Sequence, residues 1–274
     1  MMRLIWLMLI LFSWPALPAQ DLYDVDHSLA FAQYLYKSGE YRLAAEEYER
    51  VAFLKPGDLG LRLQLVAAYQ RAGAFAQAQA RAEATAPPLT MSPGLAALYG
   101  RILIQQDALG EARRFLRQTD SLPQAERLLL LTTTELLDQR WPQADSLLRS
   151  QPTHSGAPWD SFRTLTDEGL ALKRKSPVLA IGLSTVVPGL GKAYAGYWKD
   201  GLFSLLFTGI SAWQAYRGFS RNGPRNAYAW VYTGLAAGFY LGNLYGSGKA
   251  ASRRNRQNQH DLRHRVERSL PSLF

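Results

Sequence analysis

The segment P-G-L-G-K-A-Y-A-G at residues 188–196 combines closely spaced glycines with a lysine, the residue types that cradle phosphate in nucleotide-binding loops. The phosphate-loop spacing G-x-x-x-x-G-K-[ST], with Lys192 as its lysine, requires glycine at Val186 and a hydroxyl at Ala193. The dinucleotide spacing G-x-G-x-x-G fails as well, because its third glycine is Tyr194. We therefore expect no nucleotide at this segment.

Histidine, serine and carboxylate positions give no catalytic pattern. His260 and His264 have the four-residue spacing of helical zinc ligands, but they lie among arginines and are interpreted as part of a solvated helix. Ser184 and Ser204 have no nearby base in the sequence. The chain contains no cysteine, which excludes disulfide and thiolate chemistry. We expect no enzyme activity, no catalytic residue, no metal and no cofactor.

Positive charge is concentrated in the C-terminal part. Residues 20–172 hold 15 Lys+Arg and 19 Asp+Glu, whereas residues 173–274 hold 15 Lys+Arg and 3 Asp+Glu. The C-terminal part also carries long apolar runs, and basic residues beside apolar runs are typical of membrane-flanking positions. This combination favours membrane contact, and we expect no nucleic-acid partner.

The first nineteen residues have the pattern of a secretory signal peptide. Arg3 provides the positive start, residues 4–12 form a short apolar core, and Pro15 precedes a small residue, Ala19, at the cleavage position. An uncleaved anchor is the alternative, although so short an apolar stretch does not span a bilayer. The segment predicts export in a bacterial cell.

A 34-residue period follows. It relates Gly39 to Gly73 and Asp107, and other positions keep the same interval: Ala44, Ala78 and Ala112; Leu35, Tyr69 and Leu103; Tyr48, Ala82 and Leu116. A further copy around Trp141 is offset by 32 residues. Each copy reads as two amphipathic helices joined by a short turn.

The first copy has small, aromatic and closing-proline positions at Ala32, Tyr41, Ala44, Tyr48 and Pro56. With this pattern, residues 25–150 resemble an array of about three to four tetratricopeptide repeats, and the predicted repeat domain covers residues 20–150. The absence of a tryptophan in each first helix and the presence of Ala82 at an aromatic position are departures from that pattern. Other helical solenoids are the alternative.

This resemblance implies that the first helices line a groove that binds a protein or peptide. The groove positions it implies are Gln33, Lys37, Arg71, Arg101 and Gln105. The three cations could hold a carboxylate or an acidic peptide through charge-assisted hydrogen bonds. Alternatively, they are ordinary solvated charges.

Residues 151–175 read as a connector with a capping helix, and residues 176–248 as a transmembrane domain of two to three helices. Its uncharged runs are residues 178–191, 201–216 and 227–248, and a basic tail follows at residues 249–274. We expect three crossings, with a re-entrant first segment and two crossings as the alternative. The predicted fold is therefore all-α, a helical solenoid followed by a small transmembrane bundle.

Four glycines at four-residue spacing mark the last apolar run: Gly234, Gly238, Gly242 and Gly246. Such a stripe allows a neighbouring helix to come close, and Asn243 beside it is expected to form a hydrogen bond inside the bundle. We expect the stripe to pack within the domain. The alternative is a homo-oligomer formed through the stripe.

The glycine-rich segment resembles the P-G-x-G-x-x-Y-x-G signature of small bacterial two-transmembrane-helix hairpin domains. The matching residues are Pro188, Gly189, Gly191, Tyr194 and Gly196, followed by Asp200 and Gly201. The resemblance implies a turn at the membrane and does not imply any activity.

These patterns together predict a membrane-tethered scaffold of the bacterial cell envelope. The repeat array would lie in the periplasm, anchored at the inner membrane, and bind an envelope protein or peptide. A small transport or channel component, with the repeats as a docking module, is the alternative. A third arrangement, with the repeats in the cytoplasm, applies if the signal peptide is not used.

Overall fold

The computed structural model describes residues 24–150, 156 and 158–269, which are helical and contain no strand. The all-α prediction is confirmed. The chain divides into two compact units, one ending at Leu130 and the other beginning at Leu131. The predicted signal peptide lies outside the described residues.

The first unit is built from consecutive antiparallel helix pairs. Its helices are α1 Val25–Lys37, α2 Tyr41–Leu54, α3 Leu59–Arg71, α4 Phe75–Thr85, α5 Pro93–Gln105, α6 Leu109–Gln118 and α7 Gln124–Leu137, which continues into the second unit. A single 3₁₀ turn, Pro88–Thr90, precedes α5. Each of the first three helices packs against the next along the chain, and the first helices α3 and α5 also contact each other.

The same turn joins both helices of each pair. It has a residue with positive φ at Gly39 (84°), Gly73 (71°), Asp107 (61°) and Gln139 (56°). In each turn the next residue donates its backbone N–H to a carbonyl five residues earlier, as Glu40 does to Leu35 at 2.9 Å. This is the hydrogen bond that closes a helix C-terminus in a Schellman motif. The 34-residue period and the 32-residue offset therefore correspond to one repeated local structure.

Small residues allow the helices of each pair to approach closely. Ala44, Ala78 and Ala112 are fully buried at equivalent positions. Phe31 is 50% exposed, whereas its equivalents Leu65 and Tyr99 are buried. The difference follows from position, because α1 is the first described helix and no earlier helix among the described residues covers Phe31.

The second unit contains α8 Trp141–Ser150, α9 Trp159–Ala171, α10 Pro177–Val186, α11 Leu190–Tyr194, α12 Trp198–Asn222 and α13 Ala227–Arg268. Helices α8 and α9 pack together where Gly169 lies under the ring of Trp141. Helices α12 and α13 form an antiparallel hairpin, and α10 and α11 pack against α13. Helix α9 falls in the predicted connector, and α13 runs without a break through most of the predicted tail.

Within the described part of the chain, none of the helices combines the length and the apolarity needed to cross a membrane.

Candidate functional site

Two of the predicted groove residues are engaged inside the first unit. Arg101 donates from Nη2 to Glu126 Oε1 at 2.9 Å. Gln105 Oε1 accepts a hydrogen bond from Gln70 Nε2, also at 2.9 Å, which links α5 to α3. These side chains therefore stabilise the stacking of helices, and Arg101 carries a charge that is already paired.

The other predicted groove residues are exposed on α1 and α3. Gln33, Lys37 and Arg71 all face solvent, and the two cations form no ion pair among the described residues. Tyr34 lies on the same face of α1, three residues before Lys37, and is 65% exposed. Sequence reasoning missed Tyr34, although its helical spacing from Lys37 indicates a shared face. The available surface thus carries two cations and an aromatic ring.

A separate polar network joins α2, α3 and α4. Glu49 accepts a hydrogen bond from the Tyr69 hydroxyl at 2.8 Å and pairs with Arg81 through both carboxylate oxygens. Burial, followed by this hydrogen bond, raises the pKa of Tyr69 to about 12. Burial and a hydrogen bond to Glu83 likewise raise the pKa of Tyr99. The Glu49 network therefore ties α2, α3 and α4 together, and the bond between Tyr99 and Glu83 ties α5 to α4. Both tyrosines are neutral in these bonds.

In the second unit, the glycines of the P-G-x-G motif lie where backbones touch. A Cβ atom on Gly189 would lie 1.9 Å from the carbonyl oxygen of Gly201, and one on Gly191 would lie 1.8 Å from that of Ala180. A Cβ on Gly201 would in turn lie 2.5 Å from the Gly189 oxygen. Any side chain at these three positions would push α10, α11 and α12 apart. The motif is therefore a close-packing device.

The remaining motif residues occupy the turns on either side of α11. Pro188 is half-buried between α10 and α11, and Gly196 has a positive φ of 92°. The hydroxyl oxygen of Tyr194 accepts a hydrogen bond from the Ser176 amide at 3.2 Å. Asp200 is exposed in the first turn of α12. None of these groups is arranged to hold a phosphate in a loop, because the motif's amides are directed into the protein.

Those amides bond to a polar interior formed by Ser184, Thr208, Ser211, Asn243 and Ser247, all of which are buried. Asn243 Oδ1 accepts from the Gly189 amide at 3.1 Å, and Ser184 Oγ accepts from the Gly191 amide at 2.9 Å. The hydroxyls of Ser184 and Ser247 are 2.7 Å apart. Asn243 Nδ2 and Thr208 Oγ1 have no hydrogen-bond partner among the described residues. The polar interior mainly links α10 and α11 to α13.

The glycine stripe on α13 is not packed against the rest of the domain as expected. Nothing lies within 4 Å of a Cβ placed on Gly234, Gly238 or Gly242, and Gly246 alone approaches another side chain, at 3.1 Å from Lys192 Cε. The prediction that the stripe packs within the domain is therefore wrong for its first three members. The reason is that α13 is turned about its axis so that a different face, which carries Ala229, Asn243 and Ser247, is buried against the other helices. We call Gly234, Gly238 and Gly242 the glycine face.

Helices α10, α12 and α13 expose large apolar side chains and bury small or polar ones. The exposed residues include Val178, Ile181, Val186, Leu202, Phe203, Leu206, Phe207, Ile210, Trp213, Trp230, Val231, Leu235 and Leu241. The buried side of these helices is formed by the five residues of the polar interior together with the small residues Ala180, Gly191, Gly201 and Gly218. This distribution is the inverse of that in water-soluble proteins, where large apolar residues are usually buried and contiguous apolar patches are small.

Comparison with protein-family models, with curated proteins and with solved structures found no match for this chain. The function proposed below therefore rests on the geometry of the described residues.

Proposed function

We propose that the chain is a membrane-tethered scaffold. Its N-terminal array of tetratricopeptide type binds a protein or peptide partner, and helices α10–α13 hold the array at a membrane of the bacterial cell envelope. The observation that carries this proposal is the inverted side-chain distribution of α10, α12 and α13, joined in one chain to repeated helix pairs.

The array supports partner binding because stacked helix pairs provide an extended surface. Exposed Lys37 and Arg71 offer charge-assisted hydrogen bonds to carboxylates, and exposed Tyr34 offers an aromatic contact. The partner chemistry that fits is an acidic segment that also carries apolar side chains. Arg101 is not part of this surface, since it pairs with Glu126.

The inverted distribution supports membrane embedding. Lipid offers no hydrophobic drive between helices, so helices in lipid pack through small and hydroxyl residues and expose large apolar residues. Gly201, Gly218 and Ser211 on α12 fit that rule on the inside, as do Phe203 and Ile210 on the outside. The proposal depends on this arrangement of side chains around the helices and not on the mean apolarity of any single helix.

One contact constrains the topology. The Lys175 amide donates to Asn255 Oδ1 at 2.8 Å, and Asn255 Nδ2 donates back to the Lys175 carbonyl at 2.8 Å. Two residues in contact lie on the same side of a membrane, so an odd number of crossings between them does not fit. Helix α10 has 10 residues and is about 15 Å long, half of the ~30 Å hydrocarbon core. We therefore propose a re-entrant α10–α11 segment and two crossings, α12 and α13.

Reporter fusions test this topology. With export by the predicted signal peptide, the array and the C-terminal end of α13 both lie in the periplasm. Alkaline phosphatase fused after Ser269 should then be active, whereas the enzyme fused after Gly223, between α12 and α13, should be inactive. An inactive fusion at Ser269 together with an active one at Gly223 places the array in the cytoplasm, and equal activity at both sites contradicts the hairpin.

The glycine face supports a homo-oligomer within the membrane. Among the described residues, nothing lies within 4 Å of a Cβ placed on these three glycines, and a helix with a glycine stripe allows close contact between two backbones in lipid. Replacing Gly238 by leucine should abolish cross-linking between two copies in membranes. Gly182, which also has open space around it, provides the control position for the same substitution.

A transport or channel component is the second candidate. The observation that favours it is the polar interior, in which Asn243 Nδ2 and Thr208 Oγ1 lack a partner among the described residues. A scaffold predicts no ion flux across vesicles that contain the full chain. Flux that disappears in Asn243→Leu would favour the transport function.

A further inference from the structure

Three cations converge on the turn between α11 and α12. Lys175 Nζ lies 4.7 Å from the centroid of the Tyr194 ring, and Arg253 Cζ lies 5.8 Å from that of Tyr197. The guanidinium of Arg254 lies beside Gly196, 3.8 Å from where a Cβ atom would be. We call these three cations and the turn from Tyr194 to Tyr197 the basic end of the second unit.

Hydrogen bonds fix the backbone around the basic end. Asn255 holds the Lys175 backbone through two hydrogen bonds, both 2.8 Å long. The Tyr197 hydroxyl donates to Gln257 Oε1 at 2.6 Å, which ties the turn to α13. The cations therefore project from a framework that is already ordered before any ligand binds, and such pre-organisation lowers the entropic cost of binding.

Among the residues that the structure describes, no carboxylate pairs with these three cations. Lys175, Arg253 and Arg254 form no ion pair in the described part of the chain. Asp200 is the only acidic residue in the sequence between residues 169 and 260. A cluster of cations without acidic partners attracts an anion, and arginine in particular suits the oxygens of a phosphate.

The basic end lies where the exposed surface changes from apolar to charged. On one face of α13, residues at four-residue spacing run from Leu241 (64% exposed) through Tyr245 (66% exposed) to Lys249 and Arg253. Lys249 Nζ lies 4.9 Å from the Tyr245 ring. Trp198, at the start of α12, is 62% exposed beside the same turn. Exposed aromatic rings next to cations are typical of the level of lipid headgroups.

We propose that the basic end binds the phosphate of an anionic phospholipid. Lys175, Arg253 and Arg254 surround the phosphate, and the exposed side chains of Tyr245 and Leu241 lie along the acyl chains. A free phosphate would use the cations and leave this adjoining apolar face without a role, so the lipid fits more of the surface. The inference rests on the proposed membrane embedding of the second unit.

Lipid retention by the full chain tests the inference. The protein is reconstituted into vesicles of phosphatidylcholine mixed with phosphatidylglycerol and then solubilised. The ratio of the two lipids that co-purify with it is measured by mass spectrometry. We expect phosphatidylglycerol to be enriched over its share in the vesicles. A basic residue near an anionic membrane surface contributes about fivefold, so the triple variant Lys175→Gln, Arg253→Gln, Arg254→Gln should lose enrichment by about a hundredfold or down to the bulk ratio.

Two variants separate binding from folding and from net charge. The charge-preserving variant Lys175→Arg, Arg253→Lys, Arg254→Lys should keep the enrichment. Replacing Arg217, Arg221 and Arg225 by glutamine removes the same charge at the opposite end of α12, roughly 30 Å away, and should also keep it. Circular dichroism of each variant confirms that the helices are retained.

The outcomes distinguish the inference from the proposed function. Retention in vesicles of phosphatidylcholine alone, without preference for phosphatidylglycerol in the mixture, overturns the lipid site and leaves membrane embedding intact. Failure to enter either kind of vesicle overturns both. Complete displacement of phosphatidylglycerol by millimolar inorganic phosphate would show that the site takes phosphate itself, which also overturns the proposal. Equal loss of enrichment in the Arg217, Arg221 and Arg225 variant would reduce the effect to net charge and overturn it as well.

Discussion

Charged substitutions on the outer face of α12 give the sharpest test of whether lipid surrounds the second unit. Leu206 and Ile210 lie near the middle of the apolar part of α12 and are 47% and 56% exposed. We consider the double variant Leu206→Arg, Ile210→Arg. Both side chains point away from the helices against which α12 packs, so the fold itself does not oppose the change.

The two environments predict different magnitudes. At the centre of a membrane-inserted helix, an arginine costs about 2.5–3.5 kcal/mol, and the leucine or isoleucine it replaces contributes about 0.3–0.6 kcal/mol to insertion. The double variant should therefore lose about 6–8 kcal/mol of insertion free energy, reduced by the relief that snorkelling and local thinning provide. If water surrounds the same positions, each substitution should change stability by no more than about 0.5 kcal/mol.

Membrane retention after alkaline carbonate extraction is the assay. The parent should stay in the membrane fraction, and the double variant should move to the supernatant or be degraded. The matched control is Leu43→Arg, Leu59→Arg in the array, where both leucines are also exposed, by 48% and 66%. That control should behave as the parent does. A double variant that remains in the membrane as firmly as the parent, or a control that is lost equally, would refute the lipid-facing assignment of α12.

Three further predictions concern the packing of the glycines, a surface ion pair and the array surface. Gly191→Ala should destabilise the second unit by about 3 kcal/mol or more in thermal unfolding, because its Cβ would overlap a backbone oxygen. Gly182→Ala, where nothing lies within 4 Å of the added Cβ, should be neutral or stabilising by up to about 1 kcal/mol, and equal effects of the two changes would contradict the packing. The pKa of Glu168 is lowered by its hydrogen bond to an arginine, so the pair stabilises the fold at neutral pH and is lost as the pH falls through that lowered pKa. Unfolding of Glu168→Gln should thus differ from the parent near neutrality and coincide with it in strong acid, and a difference that persists in acid would assign the effect to another contact. Lys37→Glu with Arg71→Glu should weaken binding of an acidic, tyrosine-containing peptide at least tenfold by fluorescence anisotropy, and unchanged affinity would exclude this surface.

The repeated turns could be predicted from the sequence because a turn is a local structure. Gly39 and Gly73 supply the positive φ directly, and the 34-residue period identifies Asp107 as their equivalent despite its different side chain. Gln139 is the equivalent residue only through the 32-residue offset of the last copy. The period does not predict how much of each equivalent residue is buried, since that depends on neighbours. Phe31 is exposed for this reason, although it shares the sequence pattern of Leu65.

Contacts between distant segments left no local signal. The pairing of Lys175 with Asn255 joins residues 80 positions apart, and nothing in either segment predicts the other. The sequence patterns alone therefore predicted three crossings, and this contact is what supports the proposal of two. Arg101 presents the same difficulty, because its helical position predicts a groove residue and only the folded chain brings Glu126 within 2.9 Å.

The glycines of the second unit show most clearly where spacing stops being informative. Gly234, Gly238 and Gly242 repeat at the interval that favours helix packing, yet they face open space. Gly189, Gly191 and Gly201 repeat at no helical interval, and every one of them lies against a backbone. A four-residue spacing defines one face of a helix but carries no information about which face a neighbour covers. Glycines on both sides of a turn need no regular spacing, because the chain reverses direction there and its two backbone segments come into contact. For this unit, glycines near a reversal of the chain are therefore better predictors of internal contact than a regular stripe.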